Sequence, residues 1–367
     1  MAVSRATERR LMERALALAE RGRGRTHPNP IVGAVVARGE RVVGEGWHAA
    51  LGRDHAEVMA LDRAGRRARG ATLYVTLEPC AHTGRTPPCV DAILRAGIRR
   101  CVVAVRDPHP RVDGRGLRAL RRGGVAVALG LGADEARRLL GGYWLAHARG
   151  RPRTTWKVAA TLDGRIADGR GRSRWITGAV ARRAGHVLRA RAHAVLIGAN
   201  TARRDDPHLT ARGVGAARQP LRVVCDTRLR LPRTLALFGR ALARGTVVAC
   251  GRDASPRAGR ALEHRGVRVW RLPVAGGGVS PRALARRLVA EGCHEVLLEG
   301  GARLGASWLR AGLVDRVALH LAPRVLGAGP AWCGPLGRGT LAAAPTGRVA
   351  ALGRLGEDAG LIVEMGG

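Results

Sequence analysis

Residues 54–57 and 76–89 determine how the first half of this chain can fold: they read Asp-His-Ala-Glu and Thr-Leu-Glu-Pro-Cys-Ala-His-Thr-Gly-Arg-Thr-Pro-Pro-Cys. Within them, His55, Cys80 and Cys89 supply one imidazole and two thiolates, three ligands that suit Zn²⁺. Three protein ligands leave the fourth tetrahedral position for water, which is the pattern of catalytic rather than structural zinc sites. The sequence therefore predicts that the two segments meet at one zinc site.

A carboxylate follows the histidine at the spacing found in zinc-dependent deaminases. Zinc lowers the pKa of a water molecule, and Glu57 can carry the proton that this water loses. The H-x-E and P-C pattern is typical of enzymes in which hydroxide attacks an amidine-like ring carbon and ammonia leaves. We expect His55 and Cys80 to lie at helix starts, whose dipoles favour a thiolate. The alternative interpretation is a chance H-x-E beside two cysteines that are merely packed.

The charge balance is strongly basic, with 64 Lys+Arg against 28 Asp+Glu and a formal net charge of +36. Such a charge by itself suggests a polyanion partner. However, Lys157 is the only lysine, and 52 Gly, 18 Pro and a single Phe accompany the arginines. This bias follows G/C-rich codons, so it indicates genome composition, and we expect no nucleic-acid partner.

Composition also excludes several protein classes. With 46% hydrophobic residues the chain can bury a sizeable core, which excludes simple disorder. Uncharged runs are too short for a membrane helix, and the first residues lack an apolar signal core. The seven cysteines are odd in number and scattered, unlike a secreted disulfide framework. We therefore expect a cytoplasmic location and no membrane partner.

Hydrophobic periodicity predicts helices and strands that alternate along the whole chain. The alternation indicates an α/β fold with at least part of its sheet parallel. A basic stretch at 149–153 is typical of a linker, so two domains are predicted, 1–149 and 150–367. The predicted helices are 5–21, 56–64, 88–96, 115–122, 134–147 and 179–191, and the predicted strands are 31–36, 41–45, 72–76, 101–105, 125–129, 155–160, 194–197, 221–225, 246–249, 267–270, 295–298 and 317–321.

The second half lacks the G-x-G-x-x-G fingerprint of a classical dinucleotide fold after its first strand. Instead, residues 295–301 read Glu-Val-Leu-Leu-Glu-Gly-Gly and lead from a strand into a helix. Free backbone N–H groups and the helix dipole make such a junction suitable for a phosphate. The alternative is that the two glycines only form a tight turn.

Together these segments resemble the bifunctional riboflavin-biosynthesis deaminase-reductases, and the resemblance covers nearly the whole chain. It implies a cytidine-deaminase-like three-layer α/β/α domain followed by a dihydrofolate-reductase-like α/β domain. The eight residues between Cys80 and Cys89 fit this family, whereas other deaminases usually have C-x-x-C. The matching segments are 28–33, 46–48, 52–57, 76–89, 107–110, 114–116, 156–165, 173–177 and 205–212.

For the first domain, the resemblance implies zinc ligands at His55, Cys80 and Cys89 and a proton-carrying Glu57. It places substrate contacts at Asn29, His48, Arg85 and Asp107. An amide offers a donor and an acceptor to a pyrimidine edge, and Arg85 can fork onto a phosphate. A further contact that the family usually makes with Asn falls on His109 here.

For the second domain, the resemblance implies reduction by NADPH. Lys157 and Glu299 are expected as the polar pair at the hydride-accepting carbon, because an ammonium can lose its proton whereas a guanidinium effectively cannot. The implied contacts to the sugar phosphate are Ser173, Arg189, Leu209, Arg212 and Glu299. The implied contacts to NADPH are Ala159, Trp175, Thr201, Asp205, Thr227, Gly301, Ala302, Arg303, Leu304, Gly305, Ala306 and Ser307.

We therefore expect zinc-dependent deamination of a phosphorylated pyrimidine riboside, followed by NADPH-dependent reduction of its sugar, in a chain that forms a homo-oligomer. A deaminase of RNA bases is a second possibility, which the long loop between Cys80 and Cys89 disfavours. The third is a basic nucleic-acid-binding protein with structural zinc; it predicts steeply salt-dependent binding, and the shortage of aromatic residues disfavours it.

Overall fold

A computed structural model describes residues 3–83, 87–337 and 339–366. The chain divides into two compact units, residues 1–150 and 151–367. No helix in the described ranges combines the length and the apolar character needed to cross a membrane.

The first unit is a five-stranded sheet between two layers of helices. The sheet order is β2-β1-β3-β4-β5, with β1 antiparallel to its neighbours and β3, β4 and β5 parallel. The strands are β1 (Gly33–Arg38), β2 (Arg41–Trp47), β3 (Thr72–Val75), β4 (Arg100–Val103) and β5 (Ala126–Leu129). The helices are α1 (Arg5–Ala19), α2 (Ala56–Ala64), α3 (Cys89–Arg95), α4 (Arg115–Arg122), α5 (Ala133–Leu140) and α6 (Gly142–Arg149).

Each face of this sheet has its own core. Helices α2, α3 and α4 cover one face, where Ala60, Ile93 and Leu120 are fully buried. Helices α1 and α5 cover the other face, where Ala15 and Ala136 are fully buried. The arrangement confirms the predicted three-layer α/β/α domain.

Two features of the first unit differ from the sequence predictions. The single helix predicted over 134–147 is wrong, because Gly141 adopts a φ of +47° and separates α5 from α6. The expectation that Cys80 begins a helix is also wrong, since Cys80 lies in the loop after β3 and Cys89 begins α3. His55 is the N-cap residue of α2, as expected.

The second unit is built on a nine-stranded sheet with the order β10-β9-β8-β7-β13-β6-β14-β16-β15. The first seven strands in that order, from β10 through β6 to β14, are parallel to one another. Strand β16 pairs antiparallel with β14, and β15 pairs antiparallel with β16. The strands are β6 (Arg153–Thr161), β7 (Ala194–Gly198), β8 (Leu221–Cys225), β9 (Thr246–Gly251), β10 (Arg268–Leu272), β13 (Glu295–Leu298), β14 (Arg316–Ala322), β15 (Gly347–Leu355) and β16 (Asp358–Met365), with a separate hairpin of β11 (Val274–Ala275) and β12 (Gly278–Val279).

Helices cover the parallel part of this sheet, as the predicted α/β class requires. One core contains Trp156, Leu284 and Trp308, and the other contains Ile197 and Phe238. The helices are α7 (Ala179–Arg191), α8 (Ala199–Asp205), α9 (Pro256–Glu263), α10 (Pro281–Ala290) and α11 (Ala302–Arg310).

The C-terminal hairpin of β15 and β16 is absent from the sequence predictions. Leu355 pairs with Asp358, so the connection has two residues, and the first of them, Gly356, has a φ of +72°. Gly at the first position of a two-residue loop is typical of a type II′ turn. Periodicity did not reveal the hairpin because nearly every residue of β15 is exposed, so no buried face marks the strand.

Candidate functional site

Three elements bring the predicted zinc ligands together. The Nδ1 atom of His55 lies 3.0 Å from Cys89 Sγ and 3.7 Å from Cys80 Sγ. All three ligand atoms lie within 4.8 Å of one another. Tetrahedral zinc with ordinary Zn–N and Zn–S bonds separates its ligands by about 3.5 to 3.8 Å. The spacing and the donor types therefore fit a zinc ion held by His55, Cys80 and Cys89.

The electrostatics of the two thiols agree with a cation site. A hydrogen bond from Cys89, together with His55, lowers the pKa of Cys80 to about 4, although burial opposes this. The same contact with Cys80, and burial, raise the pKa of Cys89. Cys80 thus forms a thiolate readily, and its negative charge opposes the formation of a second thiolate at Cys89. A divalent cation between the sulfurs removes that opposition, because a coordinating thiol is deprotonated outright.

Glu57 lies in the first turn of α2 with only 4% of its surface exposed. Burial raises the pKa of its carboxyl group, and the charge of nearby His55 partly offsets this. A carboxyl group with a raised pKa can both accept and return a proton near neutral pH. The geometry therefore agrees with the proton-carrying role expected from the sequence.

Two of the predicted substrate contacts adjoin the ligand cluster. Asn29 Nδ2 lies 3.3 Å from His48 Nε2, and His48 Nδ1 lies 3.1 Å from the carbonyl oxygen of Asp54. The ring of His48 meets that of His55 edge-on, with 5.3 Å between centroids. Arg85 lies outside the described residues.

The third of these contacts, Asp107, follows β4 and is 5% exposed. Burial raises the pKa of its carboxyl group to about 6, although the hydrogen bonds that the group accepts from His109 and Tyr143 lower this pKa. His109, at the position where the resemblance implies an Asn, packs its ring against His147 with 4.5 Å between centroids. The departure at position 109 therefore lies directly beside Asp107.

Glu78 is a site residue that the sequence did not single out. Its buried carboxylate accepts backbone N–H bonds from Asp107 (3.2 Å), Gly114 (2.9 Å), Gly116 (2.9 Å) and Leu117 (3.2 Å). The last three belong to the N-terminal end of α4, where negative charge is stabilised. One side chain thus ties the segment that carries Cys80 to the Asp107 loop and to α4.

We expect Glu78→Gln to lower the free energy of unfolding by about 2 to 4 kcal/mol, because hydrogen bonds to a charged group are lost and a side-chain NH₂ faces backbone N–H donors. Urea denaturation of the whole chain, with zinc content measured by elemental analysis, tests this. Glu13→Gln on the exposed surface of α1 is the matched control, since its side chain is 61% exposed. Equal stability of the two variants would contradict the role given to Glu78.

In the second unit, Lys157, Arg189 and Glu299 form a partly buried charged cluster. Arg189 forks onto Glu299, with Nε to Oε1 at 2.7 Å and Nη2 to Oε2 at 2.6 Å. Burial lowers the pKa of Lys157. The negative charge of Glu299 raises this pKa, and the positive charge of Arg189 lowers it further. Burial alone would raise the pKa of Glu299, but the charge and hydrogen bonds of Arg189 hold it below its usual value.

Arg189 is thus engaged in a way that the sequence did not predict. Besides Glu299, it donates from Nη1 to the carbonyl oxygen of Thr210 at 3.2 Å. Thr210 lies between two predicted phosphate contacts: Leu209, at a φ of +54°, and Arg212, whose Nη1 donates to Thr210 Oγ1 at 2.8 Å. The structure therefore brings Arg189, Glu299 and the 209–212 loop together.

Thr201 and residues 301–307, which belong to the predicted cofactor contacts, lie in or beside the first turns of two helices. Helices α8 and α11 begin at Ala199 and Ala302, and neither receives a side-chain cap. A Cβ atom added to Gly301 would lie 3.7 Å from Thr201 Oγ1, so the two helix starts are neighbours. Uncapped N–H groups at neighbouring helix starts suit a pyrophosphate, and residues 301–307 all lie in or beside the first turns of α11.

The remaining predicted residues lie on other parts of the second unit. Ser173 Oγ donates to Asp205 Oδ1 at 3.3 Å, which joins a phosphate candidate to a cofactor candidate. Ala159 lies two residues after Lys157 on β6, and Thr227 follows β8. Trp175 is 64% exposed, with the Arg182 guanidinium 4.6 Å from its ring centroid.

Comparison with known proteins assigns both units. A model of the cytidine and deoxycytidylate deaminase zinc-binding region matches residues 5–105, and a model of the RibD C-terminal domain matches residues 152–353. Riboflavin biosynthesis protein RibD of Aquifex aeolicus is 42% identical, over 89% of either chain. That of Escherichia coli is 40% identical, over 86% of this chain and 88% of its own. The chain belongs to the RibD family.

Solved RibD structures agree with this assignment. Acinetobacter baumannii RibD superposes with a TM-score of 0.88 at 35% identity, covering 99% of both chains. The diaminohydroxyphosphoribosylaminopyrimidine deaminase/5-amino-6-(5-phosphoribosylamino)uracil reductase of Thermotoga maritima gives a TM-score of 0.82 at 32% identity, covering 98% of this chain and 99% of its own.

Membership in the RibD family confirms the resemblance and the enzyme class expected from the sequence. RibD proteins of riboflavin biosynthesis join a deaminase to a reductase, and both parts are present here. A deaminase of RNA bases and a basic nucleic-acid-binding protein both leave the RibD C-terminal domain unexplained.

Proposed function

We propose that this chain carries out two successive steps of riboflavin synthesis. Residues 1–149 hydrolytically remove the 2-amino group of 2,5-diamino-6-ribosylamino-4(3H)-pyrimidinone 5′-phosphate. Residues 150–367 then reduce the ribosyl group with NADPH to give 5-amino-6-ribitylamino-uracil 5′-phosphate. The observation that carries the proposal is the His55, Cys80 and Cys89 cluster beside a buried Glu57, in one chain with the Lys157 and Glu299 cluster.

In the first reaction, zinc held by His55, Cys80 and Cys89 would supply the polarisation that makes water a nucleophile near neutral pH. Glu57 takes a proton from the attacking water and returns it to the departing amino group, so that ammonia leaves. The pyrimidine is bound by the amide of Asn29, the imidazole of His48 and the carboxylate of Asp107. Arg85 is proposed as the contact to the substrate phosphate.

In the second reaction, NADPH would supply the hydride, which arrives at C1′ of the ring-opened imine. Lys157 gives a proton to the sugar oxygen as the ring opens, because burial eases loss of its proton. Glu299, fixed by Arg189, holds that ammonium group in place. Arg189 retains N–H donors beyond the three hydrogen bonds described, so it can also contact the phosphate.

The other proposed contacts of the reductase follow the family. Those to the sugar phosphate are Ser173, Arg189, Leu209, Arg212 and Glu299. Those to NADPH are Ala159, Trp175, Thr201, Asp205, Thr227 and the seven residues from Gly301 to Ser307. The neighbouring uncapped starts of α8 and α11 support the place given to the cofactor phosphates.

A coupled assay on the zinc-loaded protein tests the proposal. Given the diaminopyrimidinone ribosylamine phosphate, the chain is expected to release ammonia first and then to consume NADPH. Omission of NADPH should leave ammonia release unchanged. Absence of ammonia release with zinc bound would overturn the deaminase assignment. Failure to oxidise NADPH with the deaminated product supplied would overturn the reductase assignment.

The chain is proposed to work as a homo-oligomer in the cytoplasm. All seven cysteines are unpaired, which agrees with a reducing compartment. Strand β15 is an edge strand on which Val349 and Leu352 are 56% and 74% exposed. Exposed edges of this kind pair readily with another strand, and two identical edges can pair about a two-fold axis.

Sedimentation velocity is expected to show a dimer or larger assembly at micromolar concentration, and Leu352→Glu is expected to shift it towards monomer. Val274→Glu, at another exposed apolar position (49%), is the matched control and should leave the assembly intact. A wild-type monomer at that concentration would contradict the proposal.

A further inference from the structure

Helix α6, the last element of the first unit, contributes a side chain to the Asp107 carboxylate. The hydroxyl of Tyr143 donates to Asp107 Oδ1 at 3.0 Å and approaches Oδ2 at 3.1 Å. The backbone N–H of His109 donates to Oδ1 at 2.8 Å. Each carboxylate oxygen can accept about two hydrogen bonds. Oδ1 is therefore occupied, and Oδ2 keeps capacity for one more donor.

The surroundings of Asp107 otherwise disfavour its negative charge. Burial raises its pKa most, and the charges of Glu78 and Cys80, both in the segment after β3, raise it further. The groups that oppose them are the backbone N–H of His109, in the loop of Asp107, and the hydroxyl of Tyr143, on α6. Burial and the charge of Asp107 raise the pKa of Tyr143, so this hydroxyl stays protonated and remains a donor.

Neither of the two matched family models covers this contact. The zinc-binding region ends at residue 105 and the RibD C-terminal domain begins at residue 152, so Asp107 and Tyr143 both lie between the matched regions. Tyr143 is also one of only two tyrosines in the chain.

We propose that Tyr143 is a positioning residue of the deaminase, which holds the Asp107 carboxylate in one orientation so that Oδ2 can accept a hydrogen bond from the pyrimidine. The inference rests on the proposed function, in which Asp107 binds the substrate. Two hydrogen bonds to the carboxylate fix its plane, and a fixed carboxylate loses less freedom when the substrate binds.

The pH dependence of ammonia release distinguishes this role from a merely structural one. Ionised Asp107 accepts a charge-assisted hydrogen bond, whereas its protonated form is a weaker acceptor and carries an O–H donor of its own, so kcat/KM is expected to fall as the pH drops through its pKa of about 6. Tyr143→Phe removes a donor that stabilises the ionised form, so the pKa rises further. We expect the acidic limb of the kcat/KM profile to move upward by about one pH unit, which is about a tenfold loss below the limb. The loss should lie mainly in KM.

The chain offers a matched control in its other tyrosine. Tyr74 lies in the same unit and is fully buried, and its hydroxyl has no hydrogen-bond partner in the described part of the chain. Tyr74→Phe thus removes the same hydroxyl group without removing a hydrogen bond, and it should leave the pH profile of kcat/KM unchanged. In an Asp107→Asn background, Tyr143→Phe should cause little further loss, because its target no longer titrates.

Each result decides between the inference and its alternatives. Thermal unfolding and NADPH-dependent reduction of deaminated substrate show whether the variants are folded. An unmoved acidic limb in folded Tyr143→Phe, or an equal shift in Tyr74→Phe, overturns the role of Tyr143 while the proposed function stands. If the wild type releases no ammonia, the proposed function fails and the role of Tyr143 fails with it.

Discussion

Replacement of Glu57 by glutamine is expected to reduce ammonia release by two to four orders of magnitude, the usual contribution of a general acid–base residue. Glutamine keeps the size and buried position of the side chain but cannot take a proton from water or return it to the leaving amino group. Ammonia release, followed by a coupled glutamate dehydrogenase assay, measures the effect.

The zinc content separates loss of chemistry from loss of the site. Glu57 is not among the three clustered ligand atoms, so Glu57→Gln should retain zinc in proportion to protein. Cys89→Ser removes a ligand and should lose both zinc and ammonia release. NADPH-dependent reduction should persist in both variants. Substantial deamination by zinc-loaded Glu57→Gln would be incompatible with the proposed role of this carboxylate.

Glu299→Gln is expected to abolish reduction almost completely and to destabilise the second unit. The substitution leaves the partly buried Arg189 and Lys157 without a carboxylate; breaking a fully buried pair costs about 3 to 5 kcal/mol, and we expect a loss near the lower end of that range. Loss of the negative charge also lowers the pKa of Lys157 further, since Glu299 is the group that opposes the effect of burial. The ammonium group then no longer serves as a proton donor, and we expect at least a hundredfold loss of NADPH oxidation.

Strand β13 itself carries the matched control for this variant. Glu295, at the first position of β13, pairs with Arg153 at 2.9 Å, and the two side chains are 22% and 14% exposed. The Glu299 and Arg189 side chains are similarly buried, at 13% and 18%. Glu295→Gln should therefore lower stability comparably in denaturant titrations yet preserve NADPH oxidation. Equal loss of reduction in both variants would assign Glu299 a structural role alone.

Much of the fold follows from periodicity, because buried strands and amphipathic helices mark themselves in the sequence. The hairpin of β1 and β2 and the parallel strands of both units were predicted in this way. The exposed β15 was missed because it has no apolar face. The break at Gly141 was missed because the apolar spacing continues across it, and only the backbone conformation shows that a second helix begins.

The candidate sites were predicted where residue type alone carries the chemistry, as with His55, Cys80 and Cys89. Glu78 and Tyr143 were not predicted, because their partners lie 29 to 39 residues away along the chain and, for Glu78, are backbone N–H groups. The fork of Arg189 onto Glu299 likewise joins residues 110 positions apart. Such contacts depend on the packing of helices onto the sheet, which local sequence does not specify.

The burial of Lys157 has a consequence for chemical labelling. It is the only lysine among the 64 basic residues of the chain, so the basic surface presents no other side-chain amine. Burial also lowers its pKa, so this amine loses its proton more easily than an exposed lysine would. A small amine-directed reagent would therefore modify one side chain, which is the one proposed to act in reduction. Protection of Lys157, read by peptide mapping to separate it from the α-amino group, would report occupancy of the proposed site without any engineered probe.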